Sequence, residues 1–180
     1  MRKKAWRAVT RLVLHLSRTM LRPVEAISPR IYMRIYLWLL CLYGLKLTGT
    51  PRYISSRVRF DDIDLITLGQ RSVLSEHVAL LTHDYSFTTA LIALGQKPPT
   101  DIARRRGITI GNNAFIGLRT IILPGTTVEN DVIIGAGSVV RGTIKAGTIV
   151  VGNPSRVIGN INERASQWLA ESDGSSLLID

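Results

Sequence analysis

Cysteine, histidine and early acidic residues are scarce in this chain, and each scarcity removes a class of protein. Cys41 is the single cysteine. No intrachain disulfide can form, so a reducing cytoplasm is the expected compartment. Long apolar runs are missing too. The most apolar stretch, residues 31–47, has only eleven uncharged residues between Arg34 and Lys46, against about 20 for a spanning helix. The N-terminus makes a poor secretory signal, because Arg7 and Arg11 interrupt its apolar part and no small-residue cleavage site follows. Intrinsic disorder is excluded by a 46% hydrophobic content.

Acidic residues are unevenly missing. The formal net charge is +10, yet residues 1–60 hold thirteen Lys/Arg and one acid, Glu25, whereas residues 61–180 hold ten Lys/Arg and twelve acids. A nucleic-acid enzyme spreads its basic residues over the folded face. Here they belong to an N-terminal attachment, which points to an anionic surface and away from nucleic acid.

Residues 3–22 read as a basic amphipathic helix. Lys4, Arg7, Arg11, Arg18 and Arg22 form one stripe, with Trp6, Val9, Leu12, Val13, Leu16 and Met20 opposite. Pro23 closes it. The pattern suits a helix lying in a membrane interface; a helix packed on its own domain is the alternative. Residues 31–47 are too short to span, so they form a buried or an interfacial helix. The division expected is a helical region 1–57, a strand-rich domain 58–160, and a C-terminal helix and tail 161–180.

The strand-rich part repeats. Ile110, Ile116, Ile122, Val128, Ile134 and Val140 recur every six residues, and Leu68, Leu74 and Leu80 do so upstream. Gly follows the aliphatic residue at 69, 111, 117 and 135. A period of six is neither helical nor a strand alternation. It fits a triangular coil, one hexapeptide per face, with the aliphatic residue inward and coils about 4.8 Å apart. Gly and Asn then supply backbone conformations at the corners.

The segments ITIGNNAFIGLRTIILPGTTV, VIIGAGSVV and VVGNPSRVI resemble the hexapeptide-repeat acyltransferases. Within them, the sugar and polysaccharide O-acetyltransferases are most similar: the colanic-acid, capsule, nodulation and maltose or galactoside types. The resemblance implies an all-β left-handed parallel β-helix. The hand is implied by the family alone, because parallel crossovers are normally right-handed. Acetyl-coenzyme A as acyl donor and a homotrimer are implied as well, with the coenzyme in clefts between neighbouring prisms.

Between Leu80 and Ile110 lie twenty-four residues more than one hexapeptide. The excess is a loop, about 84–107, and long loops on rigid scaffolds carry function. It opens with Thr82-His83-Asp84-Tyr85-Ser86. In the family a histidine at this point is the catalytic base, which assigns that role to His83. A sugar hydroxyl is a poor nucleophile, and histidine, titrating near about 6.5 in model peptides, suits removal of its proton. The thioester is already activated, so no metal is required. Asp84 has three readings: orienting the imidazole, binding the acceptor or capping the loop. Tyr85 and Ser86 are acceptor contacts or turn residues. Arg104-Arg105-Arg106, at the loop's end, meet a phosphate-bearing acceptor or stand in solvent.

The resemblance places Phe115, Gly117, Leu118, Ala136, Arg141 and Arg156 along the coenzyme's path. Phe115 stands where the family often has Trp. Arg141-Gly142 replaces its usual Thr-Lys, which shifts phosphate contacts toward Lys145 or Arg119. An oxyanion donor is expected among the backbone N–H groups near Gly117. The γ-class carbonic anhydrases share the fold but need three histidines across two subunits; this chain has only His15, His77 and His83. The expected reaction is acetyl transfer to a hydroxyl of a sugar in a bacterial surface polysaccharide or its lipid-linked precursor. The enzyme would be cytoplasmic and peripheral on the membrane's inner face through residues 3–47. A small soluble acceptor (free sugar, amino sugar or serine) and a non-catalytic β-helix scaffold are the alternatives.

Overall fold

A computed structural model describes residues 13, 16, 17 and 19–171. Most of the amphipathic helix expected at 3–22 therefore lies outside the described residues. A helix α1 occupies residues 19–27 and α2 is Pro29–Leu42.

A three-faced prism of short parallel strands follows. Face 1 stacks β1 (Lys46–Leu47), β4 (Ile66–Leu68), β9 (Ile108–Ile110), β12 (Thr127–Val128) and β15 (Thr143–Ile144). Face 2 stacks β2 (Tyr53–Ile54), β5 (Val73–Leu74), β10 (Phe115–Ile116), β13 (Ile133–Ile134) and β16 (Thr148–Val151). Face 3 stacks β3 (Arg59–Phe60), β6 (Ala79–Leu80), β11 (Ile121–Ile122) and β14 (Val139–Val140). The register aligns like with like: Ile116 with Leu74 and Ile134, and Ile122 with Leu80 and Val140. These aliphatic ladders are buried throughout. Each side chain contributes about 1.5–3 kcal/mol by leaving water.

The period of six also appears in the backbone. Arg71 and His77, then Asn113, Arg119, Gly125, Asp131 and Gly137, all have positive φ. Each turns one corner, and most are not glycine. The glycines after the aliphatic positions have another reason. A Cβ on Gly117 would stand 2.6 Å from the Ala136 nitrogen and 2.8 Å from the Ile134 oxygen. The next coil leaves no room there for a side chain, so close approach selects glycine, not an unusual φ.

The prism begins earlier than position 58. The coil Leu47, Ile54, Phe60 precedes it, with unequal steps of seven, six and then eight residues to Leu68. A 3₁₀ turn, Ile63–Leu65, takes up the extra length at the corner. Helix α2 closes the open end. Tyr32, Tyr36 and Leu40 are buried, and the Tyr32 hydroxyl donates to the Ile54 carbonyl at 2.8 Å. From α1, Glu25 accepts from the Tyr53 hydroxyl (2.5 Å), the Ser56 N–H (3.1 Å) and the Ser56 hydroxyl (2.5 Å). Desolvation pushes this carboxyl up, but the Ser56 and Tyr53 hydrogen bonds outweigh it and hold it below its ordinary value. The far face of α2 exposes Ile31, Ile35, Trp38 and Leu42. Among the described residues no helix is long and apolar enough to cross a membrane. At the other end β17 (Arg156–Asn160) runs antiparallel to β16 and leads into α4 (Ile161–Glu171).

Candidate active site

Two edges of the prism carry the residues singled out in the sequence. The edge between faces 3 and 1 is the loop edge. The excursion there is not structureless. Strand β7 (His83–Asp84) pairs antiparallel with β8 (Arg104–Arg105), with α3 (Ser86–Ala93) at the tip. Thr82, buried, fixes the stem: its carbonyl accepts the Arg106 N–H at 2.8 Å.

His83 stands at the stem, its side chain 26% exposed. Its Nδ1 lies 3.6 Å from a carboxylate oxygen of Asp61 and 3.6 Å from one of Asp62. Both carboxylates come from the coil below and are nearly buried, at 8% and 10% side-chain exposure. Asp62 is itself held by the Arg105 guanidinium at 3.0 Å and the Thr82 hydroxyl at 3.2 Å. Burial lifts the Asp62 carboxyl, but Arg105, Thr82 and His83 together bring it below its usual value. Asp61 meets Arg59 at 3.3 Å. With Nδ1 toward two carboxylates, Nε2 is the ring nitrogen left for a substrate proton. Tyr85 packs edge-on to the imidazole, centroids 5.5 Å apart.

Asp84 makes a local turn contact and also lines the cleft beside His83. Its carboxylate accepts the Ser86 N–H at 2.9 Å, at the start of α3. Ser86 hydrogen bonds hold its carboxyl low, helped by Arg141 and Arg104. The carboxylates that stand against His83 Nδ1 are those of Asp61 and Asp62, which the sequence reading missed. Chain stacking brings them there: Phe60 lies in register with Leu80, so residues 61 and 62 sit beneath the start of the loop. An open cleft of about 470 Å³ lies beside His83, lined also by Asp84, Ser86, Arg104, Arg106, Pro124 and Arg141. Among the described residues no group of three or more His, Cys, Asp or Glu side chains is arranged to hold a metal ion.

The edge between faces 2 and 3 is the bare edge. Gly117, Leu118 and Ala136 lie there, and Phe115 stands 44% exposed on face 2 beside it. The Gly117 N–H is engaged by the Ile134 carbonyl at 2.8 Å, so it is no oxyanion donor. The N–H groups of Leu118 and Ala136 have no backbone acceptor among the described residues. Arg141 is not on this edge; it lines the His83 cleft. Arg156 is exposed on β17. One chain therefore brings Arg141 to the His83 cleft but leaves Phe115, Gly117, Leu118 and Ala136 away from it.

Residues 107–142 match the family described as bacterial transferase hexapeptide (six repeats). The repeat and the prism are similar to those of the hexapeptide-repeat acyltransferases, and the fold is their left-handed parallel β-helix. The chain is 28% identical over 137 residues to the lipopolysaccharide biosynthesis O-acetyl transferase WbbJ, a putative assignment, of Escherichia coli K12, covering 69% of this chain and 70% of that one. It is 47% identical over 127 residues to the galactoside O-acetyltransferase of Escherichia coli K12, covering 70% of this chain but only 60% of the relative. A galactoside acetyltransferase solved in complex with coenzyme A superposes with a TM-score of 0.55, 24% identity, and coverage of 85% and 83%.

Proposed function

We propose that this chain transfers an acetyl group from acetyl-coenzyme A to a hydroxyl of a sugar, in a bacterial surface polysaccharide or its lipid-linked precursor. The observation that carries the reading is His83, half-open on a cleft, with Nδ1 backed by two nearly buried carboxylates. Nε2 takes the hydroxyl proton as the oxygen attacks the thioester carbonyl. The tetrahedral oxyanion is met by a backbone N–H. Collapse expels the coenzyme thiolate, which recovers the proton from the imidazolium. Asp61 and Asp62 stabilise the transient positive charge on the ring. The names of the relatives support acetyl as the group and a sugar as the acceptor.

The bare edge suits a pantetheine arm. Its corners carry Gly117 and Ala136, and the Leu118 and Ala136 N–H groups stand without backbone acceptors there. Because this track and His83 lie on different edges, we place each active site between two chains of a homotrimer. Exposed Phe115 and Leu118 are available to such an interface. Residues 3–47 dock the trimer peripherally on the anionic inner face of the cytoplasmic membrane. The excess of thirteen Lys/Arg over one acid in residues 1–60 supplies attraction, and Ile31, Ile35, Trp38 and Leu42 supply an apolar row.

Isothermal titration with coenzyme A, followed by mass spectrometry of surface glycans with and without the protein, tests the reaction. Micromolar binding and loss of an acetyl mass are expected; no binding returns the chain to a non-catalytic scaffold. Sedimentation with anionic vesicles at low and high salt tests docking, which should weaken with salt.

A further inference from the structure

The arginine triplet closing the loop is divided by its strand. In β8 successive side chains point to opposite sides. Arg105 turns inward to the Asp62 carboxylate at 3.0 Å. Arg104 and Arg106 instead line the cleft beside His83, where Arg141 joins them from the coil above. Arg104 sits over the Phe87 ring, 5.8 Å from its centroid, and the Arg106 stem lies against Gly125. Among the described residues none of these three guanidinium groups has a carboxylate within ion-pair distance, whereas Arg57, Arg59, Arg105 and Lys145 each do. The cleft lining contains a single carboxylate, Asp84, against the three cations.

We propose that this cleft takes an anionic acceptor, with Arg104, Arg106 and Arg141 holding a phosphate or carboxylate group attached to the sugar whose hydroxyl meets His83. The inference rests on the acetyltransferase reading above. Guanidinium forks match both anions by paired charge-assisted hydrogen bonds. The phosphates of coenzyme A are not the natural occupant. They lie at the far end of the pantetheine arm from the thioester, and the thioester is the part that must reach His83. A cleft of about 470 Å³ is in the range of small-molecule sites. The anion therefore enters on the acceptor side, as a sugar phosphate (free, nucleotide-linked or lipid-linked) or as a uronic acid.

Full-length protein saturated with coenzyme A is titrated with glucose, glucose 1-phosphate and glucuronate at low salt. The proposal expects at least one anionic sugar to bind tenfold or more tightly than glucose, and the arm that does so distinguishes phosphate from carboxylate. In Arg104→Gln/Arg106→Gln that preference should fall at least tenfold, and in Arg104→Lys/Arg106→Lys it should partly return. Thermal melting checks that both variants fold; if the Gln pair does not, Arg141→Gln is expected to lower the same preference. Equal binding of all three sugars overturns the proposal. So does a preference that survives in folded variants, or one unchanged while coenzyme A affinity collapses, which would assign the arginines to the coenzyme. Failure of the wild type to bind coenzyme A at all is a different result: it refutes the acetyltransferase reading, and this inference with it.

Discussion

The loop edge and the bare edge of the prism are built from one repeat, yet they differ in almost every exposed residue. The loop edge gathers His83, Arg104, Arg106 and Arg141 around one cleft, with Asp61 and Asp62 against the His83 Nδ1. The bare edge carries Gly117, Leu118, Ala136 and Gly137, beside Arg119, His77 and the Arg57–Glu76 ion pair. One edge sets a histidine against two carboxylates beside an arginine-lined cleft; the other offers close approach of the backbone at Gly117. On the proposed reading neither suffices for acyl transfer, and the prism between them keeps them apart within one chain. The difference teaches that one repeat can carry two unlike edges, which the proposed function uses as two half-sites.

Substitutions should separate those halves. His83→Ala should lower kcat about 10²–10⁴-fold, as loss of a general base does, with an unchanged circular dichroism spectrum; near-normal turnover in the folded variant would remove the loop edge from the chemistry. Asp62→Asn should lower kcat about 10²-fold through misplacement of the imidazole, with little change in KM for acetyl-coenzyme A. A change confined to KM would count against positioning. On the other edge, Gly117→Val brings a side chain where 2.6 Å separates a Cβ from the Ala136 nitrogen. It should cost about 1–3 kcal/mol of stability and weaken coenzyme A by roughly tenfold, read by titration. Wild-type affinity would show that the coenzyme lies elsewhere.

The smallest effect on turnover is expected away from both edges. Glu25→Gln should leave kcat within about twofold but cost about 1–3 kcal/mol, the worth of hydrogen bonds to a charged group. For about 2 kcal/mol that is roughly 4–8 °C in Tm. The Glu25 carboxyl is held below its ordinary 4.5. Its contribution is therefore complete above that value and is lost as pH falls through the folded-state pKa. The gap in Tm between the two proteins should close between about pH 5 and pH 3; a gap constant with pH would mean that the charge of Glu25 is irrelevant.

The prism was legible in the sequence where its steps were even. Ile110 to Val140 keeps six-residue spacing, and there inward residues, corners and register all followed. The coil from Leu47 to Phe60 was not, because steps of seven and eight residues break the phase and the extra length folds into a 3₁₀ turn. That irregularity also hid Asp61 and Asp62. Their contact with His83 arises from the stacking of Phe60 on Leu80, a relation twenty residues long that appears only once the early coil is recognised. Residues 31–47 read as a buried or an interfacial helix; that α2 buries Tyr32, Tyr36 and Leu40 depends on the open end of the prism that it closes. His83 was legible because it opens the one large break in the repeat. The arginine triplet was visible but undecided, since only the β7–β8 pairing sorts Arg105 from its neighbours.

The central claim is that His83 of one chain and the bare edge of another make one site. Subunit complementation tests it. His83→Ala and Ala136→Trp each should be nearly inactive alone, the first without its base and the second with its coenzyme track blocked. Unfolded together in equal amounts and refolded, they form mixed trimers. Random assortment pairs an intact His83 with an intact Ala136 at about one interface in four. Release of coenzyme A should therefore recover to about a quarter of the wild-type rate. Mixed trimers, verified by mass spectrometry, that stay as inactive as their parents would contradict the account and place both half-sites within a single chain.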